Sequence, residues 1–132
     1  MIFLRIRTTS RLHPDYLEIA CSGRYSRAES QRVGLEAYRE AALAERDTVL
    51  LDVRQVVGKI PSILDRFEMG VRIANHYRES DPRIRLALLG HEPMIHPDRF
   101  GELVARNRGA DARAFSVEAE ALAWIRGPAR GA

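Results

Sequence analysis

The sequence has one cysteine, one lysine and no apolar run near the ~20 residues that a membrane-spanning helix needs. Because Cys21 is alone, it cannot form an internal disulfide. The first residues include an apolar patch, but Arg5 and Arg7 interrupt it, so it does not resemble a signal peptide. We therefore expect a protein of the reducing cytoplasm that has no transmembrane segment.

Signature motifs of the common enzyme classes are also missing. The chain has no Gly-x-Gly-x-x-Gly segment, no Walker loop and no Gly-x-Ser-x-Gly elbow. Asp52 lies near the end of a predicted buried strand, but no second carboxylate is placed to pair with it for acid–base chemistry. We predict that the protein is not an enzyme and needs no cofactor.

One loop gathers side chains of the kinds that bind metals. Its spacing is not that of a His-Glu-x-x-His helix, and Pro93 and Pro97 interrupt any helix that would align two imidazoles. We therefore predict ordinary loop residues and no metal site. The side chains are His91, Glu92, His96 and Asp98.

Length and charge set further limits. At 132 residues the chain can bury one core, so we expect a single domain over 1–126 and a flexible tail over 127–132. The net charge is +3, yet the 21 basic residues are interleaved with 18 acidic ones. The densest basic patch is only Arg106-Asn107-Arg108, whereas nucleic-acid-binding domains carry a basic stripe. We predict no nucleic-acid partner.

The apolar pattern predicts five strands. Alternation of apolar and polar residues indicates strands over 2–8 and 16–22, which would form an antiparallel hairpin around a turn at 11–15. Continuous apolar runs indicate buried strands over 48–53 and 85–89, and a short strand follows over 112–115. Cys21 falls on an apolar face, so we expect a core residue rather than a reactive thiol.

Four helices are predicted, over about 27–46, 62–79, 97–108 and 117–126. Ser26, Ser62 and Ser116 are the predicted caps of three of them, and Pro97 suits the first position of the other. The order β, β, α, β, α, β, α, β, α predicts an α/β fold. Its sheet would be mostly parallel, with an antiparallel N-terminal edge strand.

The helix predicted over 62–79 is more apolar than packing on one sheet requires. Its apolar arc is about twice the ~100° that such packing needs. The polar side chains share one arc of roughly 100°. They are Asp65, Glu68, Arg72, Asn75, His76 and Glu79. We expect His76 to be solvated.

Three explanations of the surplus apolar surface remain open. The helix is buried between the sheet and a neighbouring helix, or it forms a homodimer or partner-protein surface. Alternatively, it lines a pocket with the following helix, which would suit a lipid or another apolar molecule. The candidate binding residues are Phe67, Met69, Gly70, Ile73, Tyr77, Phe100, Leu103 and Val104.

Several segments together resemble a known family. They are TVLLDVR at 48–54, Asp65-Arg66-Phe67 with Gly70, RLALLG at 85–90, and ELVARNRGADARAF at 102–115 with ALAWI at 121–125. The chain resembles the STAS superfamily (sulfate transporter and anti-sigma factor antagonist), and its SpoIIAA-like branch in particular. The resemblance implies a bacterial protein whose fold is a (βα) superhelix with sequentially ordered strands. It also implies a likeness to SEC14-type lipid-transfer domains.

The resemblance also implies a phosphorylatable serine where the helix after the buried strand begins. Ser62 lies at about that place, although Ile60, Pro61 and Ile63 replace the usual Asp-Ser-Ser-Gly surroundings. The other explanation is that Ser62 simply caps the helix. We predict a non-enzymatic STAS-like module that engages a partner protein or an apolar ligand through the helices 62–79 and 97–108. The alternative is a phosphorylation switch through Ser62.

Overall fold

The computed structural model describes residues 5–80 and 83–127. Within these residues the chain forms five strands and four helices. In chain order they are β1 (Arg7–Leu12), β2 (Leu17–Arg24), α1 (Arg27–Leu43), β3 (Thr48–Val57), α2 (Ile63–Glu79), β4 (Arg85–Leu89), α3 (Phe100–Asn107), β5 (Ala112–Phe115) and α4 (Glu118–Arg126). No helix of this part of the chain is long and apolar enough to cross a membrane.

The strands lie in sequential order, β1-β2-β3-β4-β5. β1 pairs antiparallel with β2, and every other neighbouring pair is parallel. The three parallel connections all advance in the same direction across the sheet. Because such connections share one handedness, α1, α2 and α3 lie on the same face. The predicted α/β fold, with its mostly parallel sheet and antiparallel N-terminal strand, is confirmed.

Two apolar cores lie on opposite faces of the sheet. The larger core joins α1 and α2 to residues such as Ile19, Leu51 and Leu86. The smaller core joins α4, through Ala121 and Ile125, to the side chains that point the other way. The parallel strands are therefore covered on both faces, as their continuous apolar sequences predict.

The first hairpin differs from its predicted boundaries. β1 begins at Arg7 and continues to Leu12, which pairs with Leu17, so the predicted turn at 11–15 is wrong. The chain instead reverses at 13–16, where the His13 amide donates to the Tyr16 carbonyl at 2.9 Å. The edge strand β1 is exposed along most of its length, which explains why its sequence shows no apolar alternation. The predicted strand's residues 2–4 lie outside the described part.

β3 is longer than predicted. It continues from Val53 to Val57, and its last residues pair only with β2, because β4 ends opposite Asp52. Arg54 and Gln55 made this extension resemble a loop, whereas Val56 returns to the core. The extension carries the chain past the end of β4 and positions the start of α2.

Two predicted helix starts are also wrong. Arg99 has a left-handed backbone (φ 53°), which a helix interior does not allow, so α3 begins at Phe100 and not at Pro97. α4 begins after Val117, and no side chain caps it, so Ser116 does not have its predicted role. The predicted cap at Ser26 is confirmed, since its side chain accepts a hydrogen bond from the Glu29 amide at 3.1 Å.

The prediction that His76 is solvated is wrong. Its Nδ1 atom is buried and has no hydrogen-bond partner among the described residues, and its ring lies 6.2 Å from the Tyr38 ring. Burial lowers the pKa of His76 below its usual 6.5. The reason is that α1 packs beside α2 and covers this part of the polar arc.

Candidate ligand-binding cavity

A cavity of about 170 Å³ lies between α2 and the sheet. Its surface is almost entirely apolar. The sheet contributes side chains from β2, β3, β4 and β5, namely Cys21, Leu51, Val53, Val56, Leu86, Leu88 and Ala114. α1, α2 and the segment after β4 contribute further lining residues, which include Val33, Gly34, Met69, Ile73, Met94 and Ile95.

Cys21 is the one thiol of the chain, and it lines this cavity. Burial, with a smaller contribution from the Asp52 carboxylate, raises the pKa of Cys21 to about 12. The thiol is therefore protonated at neutral pH and is a poor nucleophile. In the cavity it acts as a small apolar residue, in agreement with the expectation from its strand position.

Only some of the predicted binding residues reach the cavity. Met69 and Ile73 line it directly. Tyr77 lies one turn beyond Ile73 and packs, partly buried, against the larger core. The apolar surplus of α2 thus covers one wall of a cavity as well as part of the core.

Gly70 has a packing role instead. A Cβ atom at this position would lie 2.7 Å from both the Gly101 carbonyl oxygen and the Val104 Cβ atom. Real Cβ atoms do not approach other atoms this closely, so only glycine allows α2 and α3 to meet here. Val104 is buried in this contact, Phe100 is partly buried, and Leu103 is exposed. These three predicted residues do not line the cavity.

Phe67 belongs to an exposed apolar surface at the start of α2. We call this the α2 entry patch, and it consists of Ile60, Ile63, Leu64 and Phe67. Their exposed fractions are 52%, 55%, 60% and 39%. Ile63, Leu64 and Phe67 lie along one side of the first helical turns, and Ile60 precedes the helix. The Arg108 guanidinium lies 5.2 Å from the centre of the Phe67 ring.

Arg66 was not among the predicted site residues, yet it lines the cavity and is only 9% exposed. Its Nη1 atom donates to the Met94 carbonyl at 3.0 Å, and Nη2 donates to the Pro93 carbonyl at 2.7 Å. These bonds attach the segment after β4 to α2. Burial lowers the pKa of Arg66 below its usual range.

The segment between β4 and α3 covers one end of the cavity. Its residues Met94, Ile95, His96 and Arg99 all line it. His96 Nδ1 accepts a hydrogen bond from the Asp98 amide at 3.1 Å, so this nitrogen is already occupied by a bond within the turn. Among the described residues, no group of three or more His, Cys, Asp or Glu side chains is arranged to hold a metal ion.

Ser62 caps α2 and is exposed. Its hydroxyl accepts from the Asp65 amide at 3.1 Å, while the Asp65 carboxylate accepts from the Ser62 amide at 3.3 Å. The same carboxylate also accepts from the Tyr25 hydroxyl at 3.1 Å. A phosphate on Ser62 would therefore lie beside an existing negative charge, which opposes it.

Asp52 forms a bidentate pair with Arg54 on the α4 side of the sheet. The Asp52 oxygens accept from Arg54 Nε at 3.0 Å and Nη2 at 2.8 Å, and also from the Arg54 amide at 3.0 Å. Burial alone would raise the pKa of Asp52, but the bonds from Arg54 outweigh it and hold that pKa below its usual range. Asp52 is thus a structural acceptor away from the cavity.

The sequence pattern missed Arg66 because an arginine next to an aspartate is typical of an exposed helix start. The available signal was its helical position: Arg66 precedes Ile73 by two turns, so it lies on the same inward face as Met69 and Ile73. Arg99 was missed because the loop before α3 has no periodicity to interpret.

Comparison with solved structures supports the fold. An anti-sigma factor antagonist from Mycobacterium paratuberculosis superposes with a TM-score of 0.61 at 13% identity, over 92% of this chain and 95% of that one. An uncharacterised protein of the DUF3478 family from Shewanella loihica PV-4, described as SpoIIAA-like, gives a TM-score of 0.51 at 18% identity, over 95% and 97%. No family model and no curated protein matches the sequence. The chain therefore has a SpoIIAA-like fold, as the sequence resemblance implied.

Proposed function

We propose that this protein is a non-enzymatic, STAS-like binding module that holds a small apolar molecule in the cavity between α2 and the sheet. The observation that carries the proposal is the cavity itself, with its apolar lining of about 170 Å³. Ligand sites are typically concave and apolar with a few polar groups, and this cavity fits that description.

The apolar walls of this cavity support the proposal. A bound apolar molecule would remove these walls from water, which favours the complex by about 25 cal/mol for each Å² of apolar surface that it buries.

The volume also limits the ligand. An engineered apolar cavity of about 150 Å³ in another protein accommodates benzene. A cavity of about 170 Å³ therefore fits one aromatic ring or a short alkyl chain. Among lipid-like molecules this favours short-chain compounds over two-chain lipids.

The groups around the cavity support binding rather than catalysis. Cys21 is held protonated, and the Asp65 carboxylate already accepts two hydrogen bonds. Glu102 accepts from the Ala114 amide at 2.7 Å and pairs with Arg106 at 3.8 Å. None of these groups forms the nucleophile–base pair that covalent catalysis requires.

Ligand-observed NMR with toluene tests the proposal. Toluene signals should broaden with the unmodified protein and recover in Ala114→Leu, because the larger side chain fills the cavity from β5. Ala119→Leu adds the same atoms at an exposed position of α4 and should leave binding unchanged. Equal broadening by all three folded proteins would place toluene outside the cavity and contradict the proposal.

A second candidate function rests on the α2 entry patch. Exposed apolar residues grouped in this way are typical of protein interfaces. The structural neighbour from Mycobacterium paratuberculosis is named as an anti-sigma factor antagonist, which suggests a protein partner for this chain as well. The patch would contact a second copy or another protein.

This candidate is tested by comparing Leu64→Asp with Leu43→Asp. Leu43 is 85% exposed at the end of α1, so it is a matched control away from the patch. Sedimentation velocity should be measured for the purified protein alone and for the protein mixed with an extract of host cells. We expect an assembly that Leu64→Asp disrupts and that Leu43→Asp leaves intact. An assembly that survives Leu64→Asp would remove this patch from consideration.

A further inference from the structure

Two arginines lie on the wall of the apolar cavity, and neither pairs with a carboxylate among residues 5–80 and 83–127. Arg66 reaches it from α2, and Arg99 reaches it from the segment before α3. Arg66 is nine-tenths buried, and its two hydrogen bonds go to neutral carbonyl groups. A guanidinium has five N–H donors, so three of those on Arg66 have no protein acceptor in the described chain.

The acidic residues that line the same cavity are already engaged. Asp65 accepts from the Ser62 amide and the Tyr25 hydroxyl. Glu102 accepts from the Ala114 amide and lies 3.8 Å from Arg106. The Asp65 carboxylate attracts the Arg66 guanidinium electrostatically, but among the described residues neither Arg66 nor Arg99 has a carboxylate within ion-pair distance.

An arginine buried without a direct ion pair is unfavourable. Buried charges are normally paired, because the desolvation of an isolated ion is costly. Carbonyl groups solvate the Arg66 guanidinium in part, but they carry no net charge to balance it. A planar guanidinium is also the side chain best suited to bidentate recognition of a carboxylate.

Resting on the proposed function, we infer that the ligand is a small monocarboxylate whose hydrocarbon part fills the cavity and whose carboxylate pairs with Arg66, with support from Arg99. The apolar side chains from the sheet disfavour a second charge on the hydrocarbon part, and the volume of about 170 Å³ suits one ring or about six carbons. The acid binds as its anion, and no covalent step is involved.

The test compares acids with neutral molecules of nearly the same shape. Benzoate against benzamide, and hexanoate against hexanamide, are titrated into the unmodified protein by calorimetry. The acids should bind at least about tenfold more tightly than the amides, as a charge-assisted hydrogen bond to a buried partner predicts. Acids and amides of equal affinity would overturn the carboxylate assignment while leaving the apolar cavity proposal intact.

Variants then assign the contact. Arg66→Met should reduce acid affinity to that of the amide and leave amide affinity within about twofold, whereas Arg66→Lys should recover part of the preference. Arg99→Gln should weaken acid binding by a smaller factor, and the Arg99 side chain makes no hydrogen bond or ion pair with the described residues that the substitution would break. A preference that persists in both Arg66→Met and Arg99→Gln would contradict the inference. If Arg66→Met does not fold, the acid–amide comparison and Arg99→Gln decide.

The two proposals fail in different ways. If neither acids nor amides bind, and toluene binds equally to Ala114→Leu, the cavity is not a ligand site and both proposals are wrong. If toluene binding depends on the cavity but acids show no preference, only the carboxylate inference is wrong.

Discussion

Gly70 of α2 faces Gly101 of α3 so closely that a Cβ atom on Gly70 would lie 2.7 Å from the Gly101 carbonyl oxygen. The two helices therefore meet backbone to backbone. This contact fixes α3 beside α2 and holds the segment between β4 and α3 over the end of the cavity. The glycine pair thus links the packing of the helices to the shape of the candidate site.

The first prediction concerns this contact. Gly70→Ala should lower the free energy of unfolding by about 1–3 kcal/mol, because the new methyl group must push the helices apart. Gly101→Ala is the matched control, since its Cβ would lie 3.5 Å from the Arg66 carbonyl, an ordinary contact. Urea denaturation of both variants measures the difference. Equal effects of the two substitutions would show that the close approach does not control packing.

The second prediction concerns Tyr38, which is fully buried and whose hydroxyl has no hydrogen-bond partner in the described part of the chain. Removing an unsatisfied buried hydroxyl relieves its desolvation cost, so Tyr38→Phe should stabilise the protein by about 1 kcal/mol or leave it unchanged. Tyr25→Phe removes a hydroxyl that donates to Asp65, and it should destabilise by about 1 kcal/mol. Thermal denaturation compares the pair. A marked loss of stability in Tyr38→Phe would mean that its hydroxyl has a partner after all.

The third prediction concerns pH. The folded-state pKa of His76 is lowered from 6.5, mainly by burial. The fold therefore favours the neutral ring, and this contribution is fully present above about pH 6.5 and is lost as the pH falls through the folded-state pKa. The unmodified protein should lose more stability than His76→Gln between about pH 7.5 and about pH 5, a range chosen to lie above most carboxyl pKa values. The same loss in both proteins would remove His76 as the cause.

The fourth prediction separates the two explanations of Ser62. As a cap, its replacement in Ser62→Ala should cost about 1 kcal/mol, whereas Ser62→Asp, which retains a capping oxygen, should cost less. Chemical denaturation provides this comparison. If Ser62→Ala is neutral, the hydroxyl is free of a structural role, and the phosphorylation alternative gains support.

The sequence predicted most of the fold because its signals were local and agreed with one another. The runs at 48–53 and 85–89 are covered on both faces, and Ser26 and Ser62 cap their helices as expected, with the full capping box present at Ser62. The predicted boundaries were less accurate where an element is exposed or unpaired. β1 and the end of β3 have few core contacts, so their sequences carry little of the periodicity on which prediction depends.

The candidate site was less predictable, for a physical reason. A cavity forms where several packed elements leave space between them. The sequence of a single segment therefore does not reveal it. Met69 and Ile73 were found because they lie on an apolar helix face. Arg66 required knowledge of which way that helix faces the sheet, and Arg99 of where the loop after β4 folds.

The most direct test of the central claim is an NMR measurement of where an apolar ligand binds. Intermolecular NOEs should be recorded between toluene and methyl groups labelled in Met, Ile and Leu residues. We predict NOEs to Met69, Ile73 and Leu51, which line the cavity. NOEs confined to Ile63 and Leu64 of the α2 entry patch, with none from the three cavity residues, would contradict the account.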